Sequence, residues 1–169
     1  MDADVALLVE DGYQELEFWY PKIRLKEEGA NVTVVAREDR EYESERGYPA
    51  EPDTTVEEVE SSDFDAVVVP GGRACPDRLR TDDRVLELVH DVYEEGKLVA
   101  AICHGPWVPI SAGVIDGHEA TCYHSIKDDV ENSGADYRDE EVVVSDNLVT
   151  SRRPGDLPAF LENIIGVLS

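Results

Sequence analysis

Four short apolar runs, Ala3–Val9, Asn31–Ala36, Phe64–Pro70 and Leu98–Ile102, alternate with segments long enough to be helices. Runs of this length with little polar alternation suit strands covered on both faces. The segments between them carry apolar residues at helical spacing. Glu15–Gly29 places Leu16, Trp19, Tyr20, Ile23 and Leu25 for burial, and Gly29 stops the helix. Asp82–Gly96 does the same with Val85, Leu88, Val89 and Val92. Strands that alternate with helices predict an α/β three-layer sandwich around a mostly parallel central sheet. In that architecture binding and catalysis collect at the carboxyl ends of strands. Glu17, Gly71-Gly72 and Cys103 all fall there.

The remaining segments complete the pattern. Arg37–Ser62 is polar around Gly47-Tyr48-Pro49 and reads as a short hairpin or irregular excursion. A helix over His104–Gly113, a short strand near Glu119–Tyr123 and a helix near Ile126–Ser133 follow. Glu141–Val144 and Leu148–Ser151 flank Asp146-Asn147 as a hairpin, and Gly155–Leu168 is a closing helix. A chain of 169 residues fits one domain spanning 1–169. Without a targeting-like or membrane-length segment, the sequence predicts a soluble cytoplasmic protein.

Charge narrows the partners. The chain has 39 acidic against 15 basic residues, a net charge of −24, which repels nucleic acid and anionic membranes. The acids are spread along the whole chain rather than gathered in a tail. That distribution suits a salt-rich cytoplasm, as in a halophile, where screening removes their repulsion. Cys75, Cys103 and Cys122 make no paired framework and no CxxC, so neither disulfides nor a zinc knuckle is expected. His90, His118 and His124 lack ligand spacing, and no metal or cofactor is expected.

Cys103 ends the apolar run Val99–Ile102 and is followed at once by His104, Gly105 and Pro106. This is the pattern of a strand breaking sharply into a helix, with the thiol on the corner and the next helix's free N–H groups nearby. A small buried Cys is the plain alternative. The glycine two residues on favours the nucleophile, because such a corner needs a residue without a side chain beside it.

Ala101–Pro106, followed by Ile110–Ile115, resembles the DJ-1/PfpI superfamily, and its PfpI-like branch in particular. The likeness extends over Tyr20-Pro21 with Arg24–Gly29, Phe64–Arg73, Ile126–Asp129, Glu140–Val144, Thr150–Arg152 and Pro154–Phe160. It implies a flavodoxin-like, class I glutamine amidotransferase-like fold with a nucleophile elbow. Amidotransferase activity itself is not expected, since no His-x-Glu follows His124.

The resemblance also implies roles. Cys103 is the nucleophile, with His104 as its neighbouring imidazole. Glu17, four residues before Pro21, matches the glutamate that touches the sulfur; protonated, it donates a hydrogen bond and favours the thiolate. The Gly71-Gly72 turn, which alone reads equally as an ordinary tight turn, supplies an oxyanion-hole amide together with the amide after Cys103. Asp77, delivered from a neighbouring subunit, completes a Cys-His-acid set, although Cys75 interrupts the loop that carries it. Tyr123 matches a pocket tyrosine and reads equally as a strand aromatic. Trp107 stands where glutamine is usual and is expected to narrow or cover the pocket. Gln14 replaces an acid common at that position, and Pro109 falls in the first turns of the elbow helix. Cys75 is a candidate second thiol, and Cys122 reads as core.

These residues predict a cysteine-dependent enzyme acting on reactive carbonyls or glycated adducts, of the glyoxalase III-like or deglycase kind. Two alternatives use the same sulfur: an intracellular cysteine peptidase acting on peptides, and a non-enzymatic redox-sensing stress protein or chaperone. The implied assembly is a homodimer or higher homo-oligomer, a hexamer included.

Overall fold

Parallel pairing of fully buried strands builds the centre of the protein. The computed structural model describes residues 1–169. β1 (Asp4–Leu8) runs into α1 (Glu15–Glu27), and β2 (Asn31–Ala36) returns beside β1 in parallel. Of the hairpin and the irregular excursion that the polar segment allowed, it holds a hairpin, β3 (Tyr42–Glu43) against β4 (Pro49–Ala50). It also holds an unanticipated edge strand, β5 (Thr54–Thr55), which pairs in parallel with β2. β6 (Ala66–Val69) pairs with β1, and α2 (Ala74–Leu79) and α3 (Asp83–Glu94) lead to β7 (Leu98–Ile102) beside it.

After the elbow come α4 (Trp107–Ser111), β8 (Glu119–Ala120), α5 (Lys127–Asn132) and β9 (Asp136–Tyr137), with β8 and β9 forming a separate parallel pair. β10 (Val142–Ser145) and β11 (Leu148–Ser151) make the expected hairpin, and α6 (Leu157–Leu168) closes the chain. Asp146 adopts φ 52° in the hairpin turn. The Asn147 side chain ties the turn to the carbonyls of Tyr93 and Lys97 at 3.0 and 2.7 Å.

The main sheet has seven strands in the order β10-β11-β7-β6-β1-β2-β5, parallel throughout except for the edge strand β10. Helices α1 and α6 pack together on one side of the sheet, and α2, α3 and α4 on the other. The mostly parallel α/β sandwich expected from the sequence is the observed one. Its inner strands, including Ala66–Val69 and Val99–Ile102, are inaccessible to solvent.

Three local expectations need correction. α1 buries Glu17, Phe18, Pro21 and Leu25, whereas Leu16 and Ile23 are more than half exposed. Both faces of this helix carry apolar residues, so periodicity alone selects the wrong stripe. The segment around Asp77 is the helix α2 rather than a loop, with Cys75 and Leu79 turned into the core. The elbow helix starts at Trp107 rather than His104, because Cys103–Pro106 are consumed by the turn. Pro109 lies in its first turn, where no intrahelical N–H is required.

Candidate active site

The elbow itself is strained. Cys103 has φ 64°, the left-handed region that side chains other than glycine rarely adopt. Its carbonyl accepts the Tyr123 N–H at 2.9 Å and its N–H donates to Ser151 at 3.1 Å, so the surrounding structure holds it there. Gly105 is obligatory, since a Cβ at that position would sit 2.7 Å from the carbonyl oxygens of Ile102 and Val69. The Cys103 side chain projects into a cavity of about 450 Å³ lined by Gln14, Glu17, Glu45, Gly72, Arg73 and His104, with Tyr123, His124, Ser125 and Pro154 across from them.

Glu17 comes to the sulfur from the first turn of α1. Gln14 caps that helix, its side-chain oxygen accepting the Glu17 N–H at 2.9 Å. The Glu17 carboxyl is wholly buried; Oε2 accepts the Gly71 N–H at 2.8 Å, while Oε1 has no partner. Gly71 leaves the room for this contact: a Cβ there would lie 2.2 Å from Glu17 Oε2 and 2.7 Å from Cys103 Cβ. Burial pushes the Glu17 carboxyl up to about 8 against the pull of the Gly71 amide and the Cys103 thiol. Burial and the Glu17 charge likewise push the Cys103 thiol up, while the His104 and Gly72 amides pull it down. Once Glu17 is protonated its charge no longer opposes the thiolate. The two groups therefore titrate as a pair.

The turn after β6 divides its labour. The Gly71 amide is occupied by Glu17, and the Gly72 amide is the one that faces the sulfur together with that of His104. Gly72 has φ 89°, and a Cβ there would collide with the Gly12 carbonyl at 2.2 Å. The sequence pattern Gly71-Gly72 leaves these two jobs undistinguished.

His104 is buried and held on every side. Nδ1 lies 3.3 Å from Cys103 Sγ, and Nε2 lies 3.3 Å from Ser125 Oγ. Tyr123 stacks on the ring at 5.0 Å and Trp107 meets it edge-on at 5.1 Å. Burial and the nearby Arg73 charge lower its pKa, favouring the neutral imidazole. Trp107 does not line the cavity. Its indole N–H donates to Asp129 at 2.9 Å and Arg80 lies over its ring, so it buttresses His104 instead of covering the pocket.

Asp77 stands apart within the single chain. It is exposed on α2 and neither lines the cavity nor bonds to His104. Ser125 takes the place beside the imidazole; a lone hydroxyl beyond Tyr123 carries no sequence signature, and only the fold brings it there. Cys75 is fully buried, with its thiol pushed up by burial, and is not an accessible second thiol. Cys122 is also buried, pushed up to about 12, and all three cysteines are free. No cluster of three potential metal ligands exists, and no helix is long and apolar enough to cross a membrane.

A buried thiol on a left-handed elbow, a protonatable glutamate beside it and two converging amides define an α/β protein of the cysteine-elbow class. The chain belongs to the DJ-1/PfpI family, whose profile it matches over residues 3–166. It is 42% identical to deglycase PfpI of Pyrococcus furiosus, over 97% of this chain and 98% of that one. It is 39% identical to protein/nucleic acid deglycase 2 of Escherichia coli, over 99% of each. Among solved structures, a two-domain protein from Anabaena variabilis with DJ-1/ThiJ/PfpI-like and ferritin-like domains superposes with a TM-score of 0.95 at 42% identity. That match covers 98% of this chain, which spans about half (48%) of the two-domain one.

Proposed function

We propose that the protein is a cysteine-dependent enzyme acting on reactive carbonyls or their glycated adducts. The carrying observation is the wholly buried Glu17 carboxyl beside Cys103, pushed up to about 8 and so neutral near pH 7. A neutral acid there supports a negatively charged sulfur and is ready to exchange protons with a bound carbonyl.

With an α-oxoaldehyde such as methylglyoxal, the Cys103 thiolate adds to the aldehyde carbon. The Gly72 and His104 amides receive the oxyanion. Glu17 and His104 then move a proton from the aldehyde carbon to the neighbouring carbonyl carbon through an enediol. The aldehyde carbon is thereby oxidised to a thioester as the ketone carbon is reduced to a carbinol. Water cleaves the thioester, releasing lactate and restoring the thiol. No external oxidant or reductant enters. The small cavity and the absence of an acid on His104 within one chain support this chemistry over peptide hydrolysis, which would need Asp77 brought by a second subunit.

The exposed stripe Leu16, Tyr20 and Ile23 on α1 supports a homo-oligomer. The free cysteines suit a reducing cytoplasm, and the −24 charge suits a salt-rich one. The deciding experiment incubates wild type and Cys103→Ala with methylglyoxal, and separately with casein, in molar KCl. Lactate formation that disappears in the variant is the expected result. Cys103-dependent casein cleavage without lactate would replace this reading with the peptidase. Neither activity, with Cys103 readily oxidised by peroxide, would replace it with the redox sensor.

A further inference from the structure

Most arginines in this acidic chain have a carboxylate partner. Eight of the eleven lie within 4.0 Å of one. Arg80 instead donates to Ser111 at 2.9 Å and covers the Trp107 ring. Arg46 and Arg73 are the exceptions: only their backbone N–H groups are bonded, to Glu15 and Glu45, and both guanidinium groups are free. With 39 carboxylates in the chain, two unpaired guanidinium groups side by side are not explained by scarcity of partners.

Their position gives them a use. Arg46 and Arg73 wall one recess with Gly12, Glu45 and Ala74. The recess adjoins the Cys103 cavity, because Glu45 and Arg73 line both. Glu45 brings one negative charge, and its Oε1 is engaged by the Arg73 N–H at 3.3 Å. Glu15, which accepts the Arg46 N–H at 2.9 Å and whose carboxyl the Arg46 charge pulls down, brings a second, yet neither guanidinium is bonded to either carboxylate. Elsewhere the −24 charge disfavours anions, so a bound anion needs a local cationic seat of this kind.

We propose that Arg73 and Arg46 form an anion subsite beside the nucleophile, and that the preferred carbonyl substrates carry a carboxylate or phosphate on the end remote from the reacting aldehyde. This rests on the cysteine-dependent reading above and names its substrate class. The guanidinium groups orient the substrate by its anionic end, while Cys103 meets its carbonyl.

The test compares 4,5-dioxovalerate, an α-oxoaldehyde ending in a carboxylate, with its neutral methyl ester at fixed ionic strength. Each turnover adds water and yields the corresponding 2-hydroxy acid. The expected kcat/KM favours the carboxylate by about tenfold, mainly through KM. In the Arg46→Gln/Arg73→Gln double variant, with folding checked by circular dichroism, that ratio falls towards one; Glu45→Gln raises it. A wild-type ratio near one, or a ratio unchanged in the double variant, overturns the subsite.

Competition assigns the source. Stronger inhibition by inorganic phosphate points to phosphoesters and stronger inhibition by acetate points to carboxylates, while inhibition by neither overturns the proposal. Binding separates this inference from the reaction. Cys103→Ala is titrated with both compounds by NMR. A carboxylate preference that the two arginine substitutions abolish sustains the subsite even if turnover is absent and the reaction reading fails. No preference in binding overturns the subsite whatever the turnover.

Discussion

Ser125 Oγ lies 3.3 Å from Nε2 of His104, the ring nitrogen left free once Nδ1 faces the Cys103 sulfur. The hydroxyl thus occupies the place where a cysteine hydrolase would set an acid. A hydroxyl can orient an imidazole but cannot stabilise its cation as a carboxylate does. That difference favours a neutral His104, the form its burial also favours.

Ser125→Ala removes one neutral hydrogen bond, worth about 1 kcal/mol. Lactate formation from methylglyoxal should fall several-fold in kcat with little change in KM. Ser125→Asp should raise the apparent pKa of His104 in an NMR titration. A Ser125→Ala enzyme with unchanged kcat would remove Ser125 from the positioning of the ring.

Glu17 makes a prediction in two readouts. Glu17→Gln keeps a neutral donor next to the sulfur but cannot relay a proton. Its kcat should fall by roughly 10²-fold or more, the usual worth of a general acid–base. The pH midpoint for alkylation of Cys103 by iodoacetamide should not rise. Glu17→Ala should lose turnover and also raise that midpoint. Equal midpoints in the two variants would sink the donor role.

The same carboxyl sets a pH dependence of stability. Its folded pKa of about 8 stands above the ordinary glutamate value of 4.5, so the folded state binds the proton more tightly than the unfolded one. The associated stability is fully present below about 4.5 and is lost as pH rises through about 8. Thermal melts of wild type and Glu17→Gln should diverge over this window, the variant holding its melting temperature on the alkaline side. Parallel curves would contradict the neutral buried carboxyl.

The Leu16–Tyr20–Ile23 stripe predicts an interface. Leu16→Glu with Ile23→Glu should convert the wild-type oligomer to a monomer in analytical ultracentrifugation. Both side chains are exposed in the single chain, so folding should survive. A monomeric wild type would dismiss the stripe as an interface.

Self-repulsion at a net charge of −24 predicts salt-dependent stability. Raising KCl from 0.1 to 2 M should lift the melting temperature on the order of 10 °C. A flat response would separate the acidity from salt adaptation.

The sheet was legible because its central strands are nearly pure apolar runs: Asn31–Ala36 and Leu98–Ile102 coincide with their strands. Elements of two residues, such as Thr54–Thr55, were not, since pairing and not side-chain pattern defines them. The stretch Ala74–Leu79 hid a helix because six residues with an internal proline give no periodicity. In the site, Cys103 was readable from the elbow motif, whereas Glu17 came only through the family resemblance. Ser125 and the separate tasks of the Gly71 and Gly72 amides depend on which atoms the fold aims inward, and one-dimensional pattern does not carry that. Leu16 and Ile23 misled for a related reason: an apolar helix face left exposed in the chain looks the same in sequence as one turned into the core.

The left-handed backbone at Cys103 sets stability against reactivity. A non-glycine residue in that conformation costs about 1 kcal/mol or more, and glycine would occupy it freely. Mutational drift towards a sturdier fold therefore leads away from the thiol. Among descendants of such a chain, those that lose the chemistry have a ready route to becoming more stable proteins, and only continued demand for the reaction keeps sulfur at the corner.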